Sequence, residues 1–378
     1  MKIVYCIAGL YNAGGMERVL TYKANYWVKN GHTVVIVTTE QKGRKPFFML
    51  DERVYCIDLD VNYEENNGKS FINKLLCYPY KLHKHKMALT SLLKGLEADV
   101  TVSMFCHDAS FLAGINDGSR KVLEAHFSRF KRLQYGRKGL WRMADVWRNF
   151  LDERLVRKFD KFVVLTQEDN CYWGNLHNIL VIPNSIAVLP DYQSDLLNMK
   201  ALAIGRYTYQ KGFDFLIEAW YFVHRMQPQW HLDIVGEGEW KDTLQKMINS
   251  YNLQDVVHLI PPTDCVGEMY CQASIMVMSS RYEGLPMVLL EGASFGLPLV
   301  AFACKCGPAD LVVDGVNGFL IPLGNIKMLA AKIILLMENT ALRMRMGKYS
   351  REKVADFTED KIMCRWEKLF QQLMTEKE

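Results

Sequence analysis

The segment from Ser279 to Glu291, Ser-Ser-Arg-Tyr-Glu-Gly-Leu-Pro-Met-Val-Leu-Leu-Glu, sets two carboxylates around the start of an apolar run. Ahead of it, Ser274–Met278 has the composition of a buried strand. Pro286 stands where a helix would begin, because a proline in the first turn gives up an N–H that has no helical acceptor. The main chain of Gly284, Leu285, Pro286, Met287 and Val288 would then lie at the positive end of a helix, where free amides seat a diphosphate. Glu283 just before that helix and Glu291 about two turns into it could grip a sugar hydroxyl and a ribose diol. Two glutamates alone fit a plain helix-start residue and a helix-surface residue better than a ligand pair.

Cations suited to the same diphosphate occur in Gly205-Arg206-Tyr-Thr-Tyr-Gln-Lys211-Gly212. Arg206 offers a planar fork of donors and Lys211 a mobile point charge. Beside a helix N-terminus the pair would neutralise a departing nucleoside diphosphate, although a solvated basic loop looks the same in isolation. Near the start, Gly14-Gly15-Met-Glu17-Arg18 follows an apolar run. Its glycines permit positive φ and close approach of backbone amides to a ligand. The spacing is not the G-x-G-x-x-G of dinucleotide enzymes, yet Glu40 stands where a dehydrogenase would hold ribose, so an oxidoreductase stays open as a lesser reading. His107 and His126 each follow a strand candidate, and His107 fits a structural imidazole.

These residues need parallel α/β layers to position them. Short β-branched runs alternate with longer helical ones. In the first half the strand candidates are Lys2–Ala8, His32–Thr38, Arg53–Leu59, Ala98–Met104, Lys121–Ala125 and Lys161–Leu165. After a polar stretch, Ser185–Met199, that reads as a linker, a second series runs through Lys200–Ile204, His231–Val235, Val256–Ile260, Ser274–Met278 and Leu297–Ala301, ending in one long helical region after Asn325. The motifs fall at the carboxyl ends of strands, where such sheets bind ligands. The 378 residues suffice for two cores. The ten cysteines form no C-x-x-C pair and point to a reducing, cytoplasmic setting.

In order and spacing the motifs resemble the GT4-like family of retaining GT-B glycosyltransferases (glycosyl transferases group 1). The match comprises Gly14-Gly15-x-Glu17-Arg18, Val-Ile-Pro-Asn at 181–184, Gly205-Arg206-x4-Lys211-Gly212, Val235-Gly236-Glu-Gly238, Glu283 with Glu291, Gly296-x-Pro-Leu-Val, Gly307-Pro-x-Asp-Leu-Val and Asp314-Gly-x-Asn-Gly-Phe. The resemblance implies an α/β, GT-B fold of two Rossmann-like doubly wound domains facing a central cleft. Residues 1–188 would bind the acceptor and 189–358 the nucleotide sugar, with a helix at about 359–378 packing back on the first domain. It implies that Arg206 and Lys211 hold the donor diphosphate, Glu283 the transferred sugar and Glu291 the ribose. Gly284 to Val288 would meet the phosphates, Gly15 would approach the donor from the other domain, and His126 would orient donor sugar or acceptor. No metal is expected, and UDP is the commonest donor nucleotide of the family. Ser185 replaces the glycine usual after Pro-Asn, and Pro261-Pro-Thr stands where relatives often carry a glycine turn near the base, which leaves base recognition open.

Residues 71–150 carry 14 Lys/Arg against 6 Asp/Glu in a chain of net charge +4. Lys81, Lys84 and Lys86 form one cluster, and Arg129, Lys131 and Arg132 begin another that interleaves aromatics. Such a surface suits an anionic membrane face or a phosphate-bearing, lipid-diphosphate-linked glycan acceptor, rather than nucleic acid. A solvated helix face is the plainer account. No apolar run is long enough to span a bilayer, so any membrane association would be peripheral, on the inner face. A retaining hexosyl- or N-acetylhexosaminyltransferase in surface polysaccharide assembly is the leading expectation. A nucleotide-sugar epimerase of the same fold and a non-catalytic sugar- or lipid-binding protein are the alternatives.

Overall fold

The computed structural model describes residues 1–66, 71–134, 139–174, 176–186, 189–263 and 265–376. Two compact units emerge: 1–165 with 170–182 and 362–378, and 166–169 with 183–361.

In the first unit the strands are β1 (Lys2–Cys6), β2 (Thr33–Thr38), β3 (Tyr55–Asp58), β4 (Val100–Ser103), β5 (Arg120–Glu124), β6 (Lys161–Val164) and β7 (Ile179–Val181). They form one parallel sheet in the order β3-β2-β1-β4-β5-β6-β7. Strands covered on both faces are apolar at nearly every position, and β1 shows it: Ile3 and Tyr5 enter one core, Val4 and Cys6 the other. The order reverses between β1 and β4, the switch point where such sheets bind ligands. Principal helices are α1 (Gly15–Lys29), α2 (Phe71–Leu96) and α3 (Leu140–Val156).

The second unit carries β8 (Lys200–Ile204), β9 (His231–Val235), β10 (Val257–Ile260), β11 (Ile275–Met278), β12 (Leu299–Phe302) and β13 (Gly318–Ile321), parallel in the order β10-β9-β8-β11-β12-β13. Its principal helices are α4 (Phe213–Met226), α5 (Lys241–Ser250), α6 (Val266–Gln272), α7 (Met287–Ser294), α8 (Ile326–Glu338) and α9 (Thr340–Val354). The chain closes with α10 (Glu359–Thr375), whose Ile362, Met363, Trp366, Leu369, Phe370 and Leu373 fill the first unit's core beside Trp27.

Three details depart from the sequence reading. The helical region after Asn325 is two helices, because the Asn339 side chain accepts from Leu342 N at 2.9 Å and starts α9. Within the expected linker, Leu196 is buried and Ser194 Oγ donates to Ala273 O at 2.5 Å, so residues 194–196 pack within the second unit. Strand β13 hides in a motif whose glycine is needed for pairing: a Cβ on Gly318 would lie 1.9 Å from Leu299 O.

Candidate active site

In the second unit, two loops at the carboxyl end of the sheet are stitched together. The first runs from β8 through Arg206 to Gly212, the second from β11 to α7. Arg281 N donates to Gln210 O at 2.8 Å, Gln210 Nε2 to Tyr282 O at 3.0 Å, and Ser279 Oγ to Lys211 O at 3.1 Å. Arg281 clamps the join, donating to both oxygens of Asp214 at 2.9 and 2.6 Å and to Tyr209 O at 2.8 Å, with its guanidinium 4.1 Å from the rings of Tyr209 and Phe215. A bidentate, stacked guanidinium fixes geometry that a lysine would not.

Two glycines allow this closeness. Gly212 has φ +61°, and a Cβ there would meet Ser279 O at 2.2 Å. Gly307 has φ +97°, and its Cβ would meet Pro286 Cδ at 2.4 Å. Tyr207, buried, donates to Ile234 O at 2.8 Å and Ile260 O at 3.1 Å and so anchors the first loop to two strand ends.

The join brings Lys211 Nζ to 2.7 Å from Glu283 Oε1, an oxygen that also accepts from Ser280 Oγ at 2.6 Å. Glu283 is 8% exposed and thus held by two donors in a nearly dry setting. Pro286 is the N-cap of α7, with an extended backbone, so the helix proper begins at Met287, one position later than the sequence suggests. The amides of Met287 and Val288 are in its first turn, where helical acceptors are missing. Leu285 is buried, and Arg206 is exposed on the first loop. Glu291 Oε2 accepts from Tyr270 OH at 2.7 Å, a phenol stacked on Phe295.

In the first unit, Gly14 is the N-cap of α1 with φ −86°, so the positive φ expected of this pair is not used. A Cβ on Gly14 would lie 2.0 Å from Glu17 Oε2, the movable end of a side chain, while one on Gly15 meets nothing within 4 Å. His126 lies just past β5, and its Nε2 stands 3.0 Å from Glu124 Oε1, near enough for charge attraction but short of hydrogen-bond alignment. Glu124 is also 2.6 Å from Lys23 Nζ. Burial alone would raise its carboxyl, but Lys23 and His126 outweigh burial and hold it at about 2. Among the described residues, Glu124 Oε2 and His126 Nε2 are buried without a hydrogen-bond partner.

His107 stacks on Tyr63 with centroids 3.9 Å apart, and burial lowers its pKa. Glu40 accepts from Tyr63 N at 2.5 Å and Glu64 N at 3.3 Å, so it caps a turn. A D-x-D spacing, Asp58 to Asp60, stands at the carboxyl end of β3, but Asp58 accepts from Thr38 Oγ1 and Lys42 N, and Asp60 from the Asn62 side-chain amide. Among the described residues no group of three or more His, Cys, Asp or Glu is placed to hold a metal ion.

Residues 193–353 match the family model for glycosyl transferases group 1, and residues 13–188 that for glycosyltransferase family 4. An uncharacterised glycosyltransferase of Haemophilus influenzae is 32% identical, across 97% of this chain and 98% of its own length. This chain is a group 1 glycosyltransferase. The amylovoran biosynthesis glycosyltransferase AmsD of Erwinia amylovora is 26% identical over 97% of the present enzyme and 98% of its own length. A crystal structure of a mutant of S. aureus TarM, in complex with Fondaparinux, alpha-GlcNAc-glycerol and UDP, superposes with a TM-score of 0.77 at 18% identity, covering 98% and 99% of the two chains. The fold of this glycosyltransferase is thus GT-B.

The cationic clusters of the first unit are largely tied into the protein itself. Lys81 donates to Asn62 O and lies 3.0 Å from Glu65, and Lys84 donates to Asp60 O at 2.9 Å. Arg129 bonds Tyr172 O and Glu153 and covers Trp173, and Lys131 lies over Phe127. Lys86 is exposed, and the side chain of Arg132 lies outside the described residues. Sequence reasoning missed Ser280, Arg281, Asp214 and Tyr207. Ser280 and Arg281 stood inside the quoted motif, and Asp214 three residues past Lys211 was the remaining signal.

Proposed function

We propose that this glycosyltransferase moves a hexose or N-acetylhexosamine, with retention of anomeric configuration and without a metal, from a nucleoside-diphosphate sugar to a hydroxyl of a glycan acceptor. The observation that carries the reading is the Lys211–Glu283 pair at the mouth of α7. There an ammonium, a carboxylate and first-turn amides lie on two loops clamped together by Arg281. A cation and main-chain donors stabilise a leaving diphosphate, while a fixed carboxylate orients sugar hydroxyls. Arg206 joins Lys211 on the phosphates, and Gly284 to Val288 line them. Glu291 takes the ribose by exchanging its bond from Tyr270 for one from the diol. To Gly15, where a Cβ would meet open space, we assign close approach to the donor, and to His126 a contact with the transferred sugar or acceptor.

UDP is the favoured nucleotide, since the TarM complex of the same fold holds UDP. The AmsD likeness over nearly the whole chain supports a role in polysaccharide biosynthesis, and with it a lipid-diphosphate-linked acceptor used at the cytoplasmic membrane face. The test is a panel of UDP-, GDP- and ADP-sugars, scored by thermal stabilisation, which a bound donor must raise, and by hydrolysis. The configuration of the product is then assigned by NMR. An inverted anomer would end the retaining assignment, and an epimerised donor formed without acceptor would select the epimerase reading.

A further inference from the structure

Helix α3 presents an unusual outer face. At about 100° per residue, Met143, Val146, Trp147, Phe150 and Leu151 fall in one arc of about 140°. All five are exposed, Met143 at 69% and Trp147 at 63%. Arg142 flanks the arc on one side and Arg148 on the other, and Arg154 lies within it, its guanidinium 4.5 Å from the Phe150 ring. Of the helix's three acids, Asp145 is buried, Asp152 is half-buried on the side opposite the arc, and Glu153, half-buried at the edge of the arc, is neutralised by Arg129 and Arg157 at 2.9 and 3.2 Å. Among the described residues of α3, every exposed charge is therefore a cation.

We propose that this face seats the enzyme on an anionic phospholipid bilayer. Aromatic and aliphatic side chains flanked by arginines match the boundary of headgroups and acyl chains, where an amphipathic helix lies in the plane of the surface. The flanking guanidiniums meet lipid phosphates, and the charge pattern selects anionic headgroups. No helix among the described residues is long and apolar enough to cross a membrane, so the attachment is by lying on the surface. The inference deepens the proposed lipid-linked acceptor and rests on it for its purpose, but its test does not depend on that acceptor.

The full chain is sedimented with vesicles of phosphatidylglycerol and phosphatidylcholine in equal parts, and with phosphatidylcholine alone. Binding to the mixed vesicles, weakened by salt, is expected, with little to phosphatidylcholine. Trp147→Ser with Phe150→Ser should cut the partition coefficient by about tenfold or more. Arg142→Gln with Arg148→Gln and Arg154→Gln should abolish the preference for the anionic lipid. Because these side chains are exposed, thermal melting should stay at the parental temperature, which separates lost docking from lost fold. A parental chain that ignores both vesicles, or variants that bind as it does, would overturn the proposal. So would size-exclusion data in which the parental chain is a dimer and the Trp147/Phe150 variant a monomer. Transfer to a water-soluble glycan is assayed in parallel. If vesicle binding holds while only soluble glycans accept sugar, the lipid-linked acceptor fails and the docking face stands.

Discussion

Lys23 Nζ and Glu124 Oε1 lie 2.6 Å apart with their side chains 5% and 1% exposed. The ammonium also sits 3.6 Å above the ring of Trp366. A pair this dry gains little over an apolar replacement of both partners, but removal of one partner strands a charge. Lys23→Met should therefore cost about 3–5 kcal/mol of stability in urea denaturation. Lys23→Met combined with Glu124→Leu should recover much of that loss. If the single variant melts as the parent does, the pair is not an ion pair in solution.

Two buried carboxyls give the pH dependence of stability opposite signs. Glu124 is held at about 2, below its ordinary 4.5. Its contribution is present above about 4.5 and lost as pH falls through 2. Burial lifts Asp108 from 3.8 to about 7, so the folded chain keeps a proton that the unfolded chain releases, and stability declines as pH rises through that window. Asp108→Asn should remove the decline, on the order of 2 kcal/mol between pH 5 and 8. Denaturation midpoints across pH for the parent, Glu124→Gln and Asp108→Asn decide both signs.

For the chemistry, Lys211→Ala and Arg206→Ala should each remove roughly 2–4 kcal/mol of transition-state stabilisation, about thirtyfold to a thousandfold in kcat/KM. Glu283→Ala should also impair turnover while the protein stays folded. Steady-state kinetics with added EDTA should match those without it. Near-normal rates for both cation variants would remove the leaving-group assignment.

The glycines separate binding from stability. Gly15→Ala meets no atom within 4 Å, so melting should be unchanged while the donor KM rises by about tenfold, because the open space there is reserved for ligand. Gly212→Ala should lower stability by about 1–3 kcal/mol, since φ +61° and the Ser279 carbonyl both oppose a side chain. A Gly15→Ala enzyme with parental KM would take that residue out of the donor site.

Much of the scaffold was legible in the sequence, because buried parallel strands are short apolar runs, and Lys200–Ile204 and His231–Val235 stand where their composition puts them. Boundaries moved where side chains rather than hydropathy decide, as at Asn339. Of the site, the motif residues could be named from their order along the chain. Their mutual arrangement could not, because the Arg281–Asp214 fork and the buried Lys23–Glu124–His126 group join positions far apart in the chain. The surface cations misled in the other direction: a count of lysines and arginines cannot show that Lys81 and Arg129 are bonded to main-chain carbonyls, nor that Asp145 of α3 is buried while Glu153 is tied to Arg129 and Arg157.

Helix α10 has a consequence for biogenesis. Trp366 and its five neighbours in the core reach the ribosome exit only after every residue of the second unit has been translated. The earlier-made part of the first unit must therefore wait, with Tyr5 and Trp27 incompletely covered, until α10 follows. A stop codon ahead of Ile362 would leave Ile3, Tyr5 and Trp27 without the side chains that complete their core.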